Sequence, residues 1–132
     1  MVKQSIWPDS RQEIARHKWI ESEKAGYDLG EDSIYRWIKC HWTCFLRARW
    51  VEHLQGKTFW IELDRGDFGI LSRRFQDKLD LLQLIVDRFK AGQENLHIIL
   101  WAIETQQPMA DVLEILDAID VNSTRLGYHF NE

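Results

Sequence analysis

Tryptophan is concentrated in the first half of this chain. Of the 132 residues, seven are tryptophan, and six of these lie within the first 60 positions. Complete burial of one indole removes on the order of 150 to 250 Å² from water, which is worth roughly 4 to 6 kcal/mol before ordering costs are subtracted. Side chains of this size need a core or a partner, so the energetic centre of the protein is predicted to lie in this half. The six residues are Trp7, Trp19, Trp37, Trp42, Trp50 and Trp60.

A long helix is predicted over residues 32–55, ending before Gly56, with apolar residues on two opposite faces. The second of these faces includes Trp42, Leu46 and Trp50 beside Arg47 and Arg49. A helix that is apolar on both sides is either central to the fold or keeps one face for another chain. The first face holds Ile34, Trp37, Ile38, Cys44, Phe45, Ala48 and Val51, with the polar residues His41 and Glu52 in the same stripe.

Helical periodicity also predicts the elements around this long helix. Ser10 and Glu13 form a capping-box pattern and Gly26 is a typical helix stop, so a first helix is predicted over 11–25. The short connection after Gly26 predicts that the first two helices form an αα-hairpin. Further helices are predicted from 69 or 72 to 91 and after Pro108. Residues 95–106 could be a buried strand or a buried helix, and the length of this apolar segment favours a helix.

The overall prediction is a mainly α fold. Residues 58–63 alternate in polarity and are rich in β-formers, which indicates at most one short extended segment. The chain has the length of one domain, and 45% of its residues are hydrophobic, enough for a sizeable core. A single compact domain of about five helices, spanning residues 1–132, is therefore expected.

Composition narrows the location and the partners. The longest apolar run, residues 98–103, is too short to span a bilayer, and no signal-peptide pattern follows the N-terminus. These features predict a cytoplasmic protein with no membrane partner. Aromatic residues alternate with arginine between Phe45 and Trp50 and could stack on bases. The net charge is −4, however, and there is neither a phosphate-binding glycine loop nor an extended basic stripe, so nucleic acid is not the predicted partner.

Several polar residues could form a site. Glu13, His17 and Glu21 are four residues apart, which places them on one side of the first helix, where they could bind a metal or poise a histidine for proton transfer. A solvated face with ordinary ion pairs explains the same residues. His41 and Glu52 point into the apolar stripe of the long helix and need polar partners there. Either His41 is a hydrogen-bonded core histidine and Glu52 an ion-paired glutamate, or the two line a buried polar pocket with His17 or Tyr27 opposite.

The two cysteines indicate free thiols. Cys40 and Cys44 are one helical turn apart, so a disulfide between them would distort the helix. A structural zinc site normally gathers two separated pairs of ligands, and no second pair is present. Both cysteines are therefore expected to be small core residues.

Two functions follow as hypotheses. The first is a small interaction or regulatory module that self-associates or docks a protein partner through Trp42, Leu46, Arg47, Arg49 and Trp50, because tryptophan and arginine dominate interface hot spots. The alternative is a metal- or small-ligand-binding protein, conceivably an enzyme, that uses Glu13, His17, Glu21, His41 and Glu52. The sequence contains no catalytic motif that names a reaction, and it identifies no cofactor.

Overall fold

Helices make up most of the chain, as the sequence predicts. In a computed structural model, the described residues 2–120 form six α-helices and two strands of two residues each. The predicted domain of residues 1–132 also includes residues 1 and 121–132, which lie outside the described part. The elements are β1 (Lys3–Gln4), α1 (Ile6–Ala25), α2 (Glu31–Leu54), β2 (Phe59–Trp60), α3 (Ile70–Arg74), α4 (Leu79–Lys90), α5 (Asn95–Glu104) and α6 (Met109–Ile119).

Helix α2 is central to the fold. It packs against α1, α3, α4 and β2, while α6 packs against α3, α4 and α5. The core is correspondingly built around α2, which contributes Trp37, Phe45, Trp50, Val51 and Leu54 to it. Of the two arrangements that a doubly apolar helix allows, the structure therefore has the central one.

The predicted αα-hairpin of α1 and α2 is confirmed, but α1 begins earlier than expected. Ser5 is the N-cap, and its hydroxyl accepts a hydrogen bond from the backbone N–H of Trp7. Pro8 is accommodated in the first turn, where its missing N–H leaves no bond unmade. Ser10 does not cap the helix, because it is buried and its hydroxyl donates to the carbonyl oxygen of Trp7 over 2.8 Å. The predicted N-cap, Ser10, therefore lies about one turn after the observed N-cap, Ser5.

The hairpin loop is closed by an aspartate. The carboxylate of Asp28 accepts a hydrogen bond from the backbone N–H of Gly30 at 2.9 Å and lies 3.5 Å from the ammonium of Lys18. The hydrogen bond from Gly30 and the positive charge of Lys18 hold the pKa of Asp28 below its usual range. Asp28 therefore remains ionised in the loop at lower pH than an isolated aspartate.

The helix predicted up to residue 91 is broken in two, which gives six helices instead of five. Helix α3 ends at Arg74, the next residue, Phe75, is buried in the core, and a 3-10 turn leads to α4. In that turn, the ammonium of Lys78 donates to the carboxylate of Asp111 on α6 over 2.8 Å, and this bond raises the pKa of Lys78. The bridge therefore contributes to stability below the ordinary lysine pKa and is lost as the pH rises through the raised value.

The remaining predictions hold in outline. Residues 95–104 are helical, and the turn before α5 is a capping box in which His97 accepts from the backbone N–H of Glu94. The extended segment is shorter than predicted, since β2 is followed at once by a 3-10 turn over Ile61–Leu63. The pairing of β2 with β1 is parallel and was not predicted.

No helix within residues 2–120 has the length and apolar character needed to cross a membrane.

Candidate functional site

The tryptophan and arginine face of α2 is covered by the rest of the chain. The indole N–H of Trp50 donates to the carbonyl oxygen of Ile119 at the end of α6 over 2.8 Å. Trp42 stacks on Trp7 of α1, with ring centroids 5.8 Å apart. The prediction of an exposed docking face was wrong for four of its five residues, because other helices of the same chain occupy that face. The four buried residues are Trp42, Leu46, Arg47 and Trp50.

The contacts of Arg47 show why the second apolar face of α2 was wrongly predicted to be exposed. Its guanidinium donates to the carboxylate of Glu94 at 2.6 Å and to the carbonyl oxygen of Gln93 at 3.1 Å, and it lies 4.8 Å from the ring centre of Phe89. A buried charge is tolerated only when it is paired and hydrogen-bonded. Arg47, which lies between Trp42 and Trp50 in the sequence, therefore connects α2 with the loop between α4 and α5.

Arg49, the fifth residue, is partly exposed and lies at the boundary with α1. It donates to the carboxylate of Asp9 at 2.8 Å and to that of Glu52 at 3.3 Å. The guanidinium also lies 4.5 Å from the ring centre of Phe45. Glu52 is therefore an ion-paired glutamate, as one of the two interpretations predicted, but it lies half-buried at the edge of the fold and not in the core.

His17 and His41 meet across the hairpin. Their ring centroids are 5.4 Å apart, although 24 positions separate them in the sequence. Glu13 lies one turn before His17 on the same side of α1 and lines the same groove, which has a volume of about 500 Å³. The expectation that His41 lies inside the core was wrong, since it is exposed at the rim of this groove. The other lining residues include Arg16, Ile20, Trp37, Cys44, Phe45 and Arg49.

Three further predicted positions lie on the surface. Glu21 is 3.7 Å from the ammonium of Lys24 on the same helix, the ordinary ion pair that the alternative interpretation required. Cys40 and Cys44 are free thiols, as predicted, but both are exposed. The expectation that they are core residues was wrong, because both lie on the exposed side of α2, whereas Trp37, Trp42 and Phe45 of the same helix are buried.

One buried histidine was not identified as a candidate from the sequence. His53 of α2 is fully buried, and its Nε2 lies 3.2 Å from Asp64 and 3.5 Å from Asp67. The rings of Phe59 and Phe68 contact it edge-on, at centroid distances of 4.9 and 5.2 Å. No helical or strand spacing in the sequence indicates this cluster, since the two aspartates belong to a turn eleven or more positions further along the chain.

The cluster could in principle hold a cation, because the ligand atoms of His53, Asp64 and Asp67 all lie within 4.8 Å of one another. The other ring nitrogen argues against it. Nδ1 accepts the backbone N–H of Trp60 over 3.1 Å, so the hydrogen-bond pattern places the proton of the neutral ring on Nε2. Nε2 then donates to Asp64 and has no lone pair for a metal. His53 therefore connects α2, β2 and the 64–67 turn structurally.

Helix α5 exposes an apolar stripe. Leu96, Leu100 and Ile103 are 65%, 49% and 59% exposed, whereas Ile98 and Ala102 on the opposite side are buried. Positions four and then three residues apart lie next to one another on a helix, so the three side chains form one continuous surface. Beside it, Trp101 is partly covered by Arg88 of α4, whose guanidinium lies 4.1 Å from the indole ring centre.

Comparison with protein-family models, with curated proteins and with solved structures gives no match for this chain. The surfaces described above are therefore what indicates a function.

Proposed function

We propose that the protein is a small helical interaction module that self-associates, with α5 of one copy packing antiparallel on α5 of a second copy. The observation that carries this proposal is the exposed stripe of Leu96, Leu100 and Ile103. The predicted face on α2 is not available for this role. Helix α5 has the exposed aliphatic surface that α2 lacks.

The spacing of the stripe suits a second helix. Intervals of four and three residues match the seam along which two helices pack side chains between one another. The helix has ten residues, so the seam is short. A continuous apolar surface on the order of a few hundred Å² per copy supports a weak pair, with Kd between about 1 μM and 1 mM.

The charges beside the stripe favour the antiparallel arrangement. His97 and Glu104 flank the seam on the same side, seven positions apart. In an antiparallel pair, this flank of one helix lies against the same flank of the other helix, which runs in the opposite direction. His97 therefore faces Glu104 of the partner subunit. In a parallel pair the opposite flank, which carries Ile99, would meet that glutamate instead. His97 uses Nδ1 to accept from Glu94, which leaves Nε2 as the donor for an intermolecular bond.

Sedimentation velocity over a series of protein concentrations tests this proposal. The wild-type protein is expected to shift from monomer towards dimer within the concentration range of that Kd. Leu100→Glu is expected to remain monomeric, because two carboxylates would meet at the centre of the seam. Its thermal unfolding should resemble that of the wild type, since substitutions at exposed positions usually change stability by less than about 0.5 kcal/mol.

Ile61→Glu is the matched control. Ile61 is an aliphatic residue of similar exposure, 52% against 49% for Leu100, and it lies in the 3-10 turn after β2. This variant should dimerise as the wild type does. A wild-type protein that stays monomeric up to about 1 mM would refute self-association. Equal loss of dimer in both variants would show that α5 is not the interface.

A further inference from the structure

We propose that His17 and His41 bind one Zn²⁺ ion across the α1–α2 groove, with Glu13 as the third ligand. The groove lies between α1 and α2, and none of the residues of α5 lines it. The zinc site is therefore distinct from the α5 surface proposed for self-association.

The distance between the two imidazoles suits a shared ion. Each nitrogen ligand of zinc lies about 2 Å from the metal, so two imidazoles at a tetrahedral site have ring centroids about 5 Å apart. The observed separation of His17 and His41 is 5.4 Å, with the ring planes inclined by 60°. The two rings are therefore close enough for rotation of both side chains to direct one nitrogen each towards a common point.

The imidazoles are available as ligands. Within residues 2–120, neither His17 nor His41 has a hydrogen-bond partner, in contrast to His53 and His97, each of which uses a ring nitrogen to accept a backbone N–H. Their neighbours in the groove are partly apolar, and the buried indole of Trp37 lies 6.3 Å from the ring of His41. Imidazole nitrogens in such a setting bind zinc-like ions in preference to magnesium or calcium, which favour oxygen.

Among residues 2–120, only His53, Asp64 and Asp67 already bring three possible ligand atoms together, so Glu13 has to turn towards the imidazoles to complete the set. It precedes His17 by one turn, so the two side chains are neighbours on α1. Among the residues that the structure describes, its carboxylate pairs only with Arg16, at 3.0 Å, and that arginine is largely exposed. Exposed pairs of this kind contribute little to stability, so the carboxylate can turn towards a cation. The other cation of the groove, Arg49, is already neutralised by Asp9 and Glu52.

Titration calorimetry with zinc chloride tests the site, with the chain carrying Cys40→Ser and Cys44→Ser as the parent protein. These substitutions remove two exposed thiols that could bind zinc by themselves. The parent is expected to bind one zinc ion per chain, and its Tm is expected to rise with zinc because the ion binds only the folded hairpin. Magnesium chloride should produce neither effect.

Single substitutions then locate the ion. His17→Ala and His41→Ala should each weaken zinc binding at least tenfold, and Glu13→Gln should weaken it less. His97→Gln is the control, since it removes an exposed imidazole and keeps an acceptor for the capping box. Three results would each overturn the proposal: no saturable binding by the parent, which lacks both thiols, undiminished binding in both histidine variants, or an equal loss in His97→Gln.

Discussion

Replacing Trp50 with alanine is expected to lower the free energy of unfolding by about 3 to 5 kcal/mol, the usual cost of removing a large side chain from a core. Trp50 is 3% exposed and packs parallel to the ring of His53, with centroids 6.3 Å apart. Truncation would also leave the carbonyl oxygen of Ile119 without its indole donor. Domains of this size are stable by only about 5 to 15 kcal/mol, so the variant should unfold at much lower urea concentration.

Two further variants make the Trp50 experiment specific. Trp50→Phe keeps an aromatic ring but removes the N–H donor and part of the volume, so a smaller loss of about 1 to 2 kcal/mol is expected. Trp19→Ala should be nearly neutral, because Trp19 is 66% exposed. If Trp50→Ala unfolded at the same urea concentration as the wild type, α2 would not be the enclosed helix described above.

Replacing His53 with alanine is the second large effect, with an expected loss of about 2 to 4 kcal/mol in the free energy of unfolding. The substitution leaves a cavity between Phe59 and Phe68, and it removes the acceptor for the buried backbone N–H of Trp60. It also releases the turn that Asp64 holds against α2. Denaturant unfolding followed by tryptophan fluorescence measures the loss.

Asparagine and leucine at position 53 separate these contributions. The side-chain oxygen of asparagine lies close to the position of Nδ1, so His53→Asn should keep the bond to Trp60 and be more stable than His53→Ala. His53→Leu fills space but offers no acceptor, so the backbone N–H stays unsatisfied. The structural role of the imidazole would be disproved if leucine were tolerated as well as histidine.

Much of the fold was predictable because its helices have strong periodicity. The bounds of α2 differ from the predicted 32–55 by a single position at each end, and α5 was predicted as a helix from its length and its apolar run. The break before α4 was not predictable in the same way. It depends on the burial of Phe75 and the contact of Lys78 with Asp111, and both are tertiary interactions between residues distant in sequence.

The candidate sites were harder to predict than the helices. Periodicity shows that α2 has two apolar faces, but it does not show which one the rest of the chain covers. The stripe on α5 belongs to a segment that is apolar nearly all round, so no amphipathic pattern marked its exposed side. Glu13, His17 and His41 were identified as candidates from sequence, whereas their approach across the hairpin depends on how α1 packs on α2.

His53 was missed for a related reason. Its partners, Asp64 and the backbone of Trp60, follow it by eleven and seven positions, and the chain reverses direction between them. No helical or strand period connects such residues. A buried histidine at the end of a helix can therefore be recognised only when the following turn has been placed.

Disulfide cross-linking at position 100 tests the central claim, self-association through α5, most directly. Near the two-fold axis of an antiparallel α5 pair, residue 100 approaches its own copy, and a disulfide needs Cα atoms about 4.4 to 6.8 Å apart. Leu100→Cys in the Cys40→Ser, Cys44→Ser background is predicted to form a covalent dimer under mild oxidation, whereas Ile61→Cys in the same background stays monomeric. A monomeric Leu100→Cys protein, or equal cross-linking at both positions, would contradict the account.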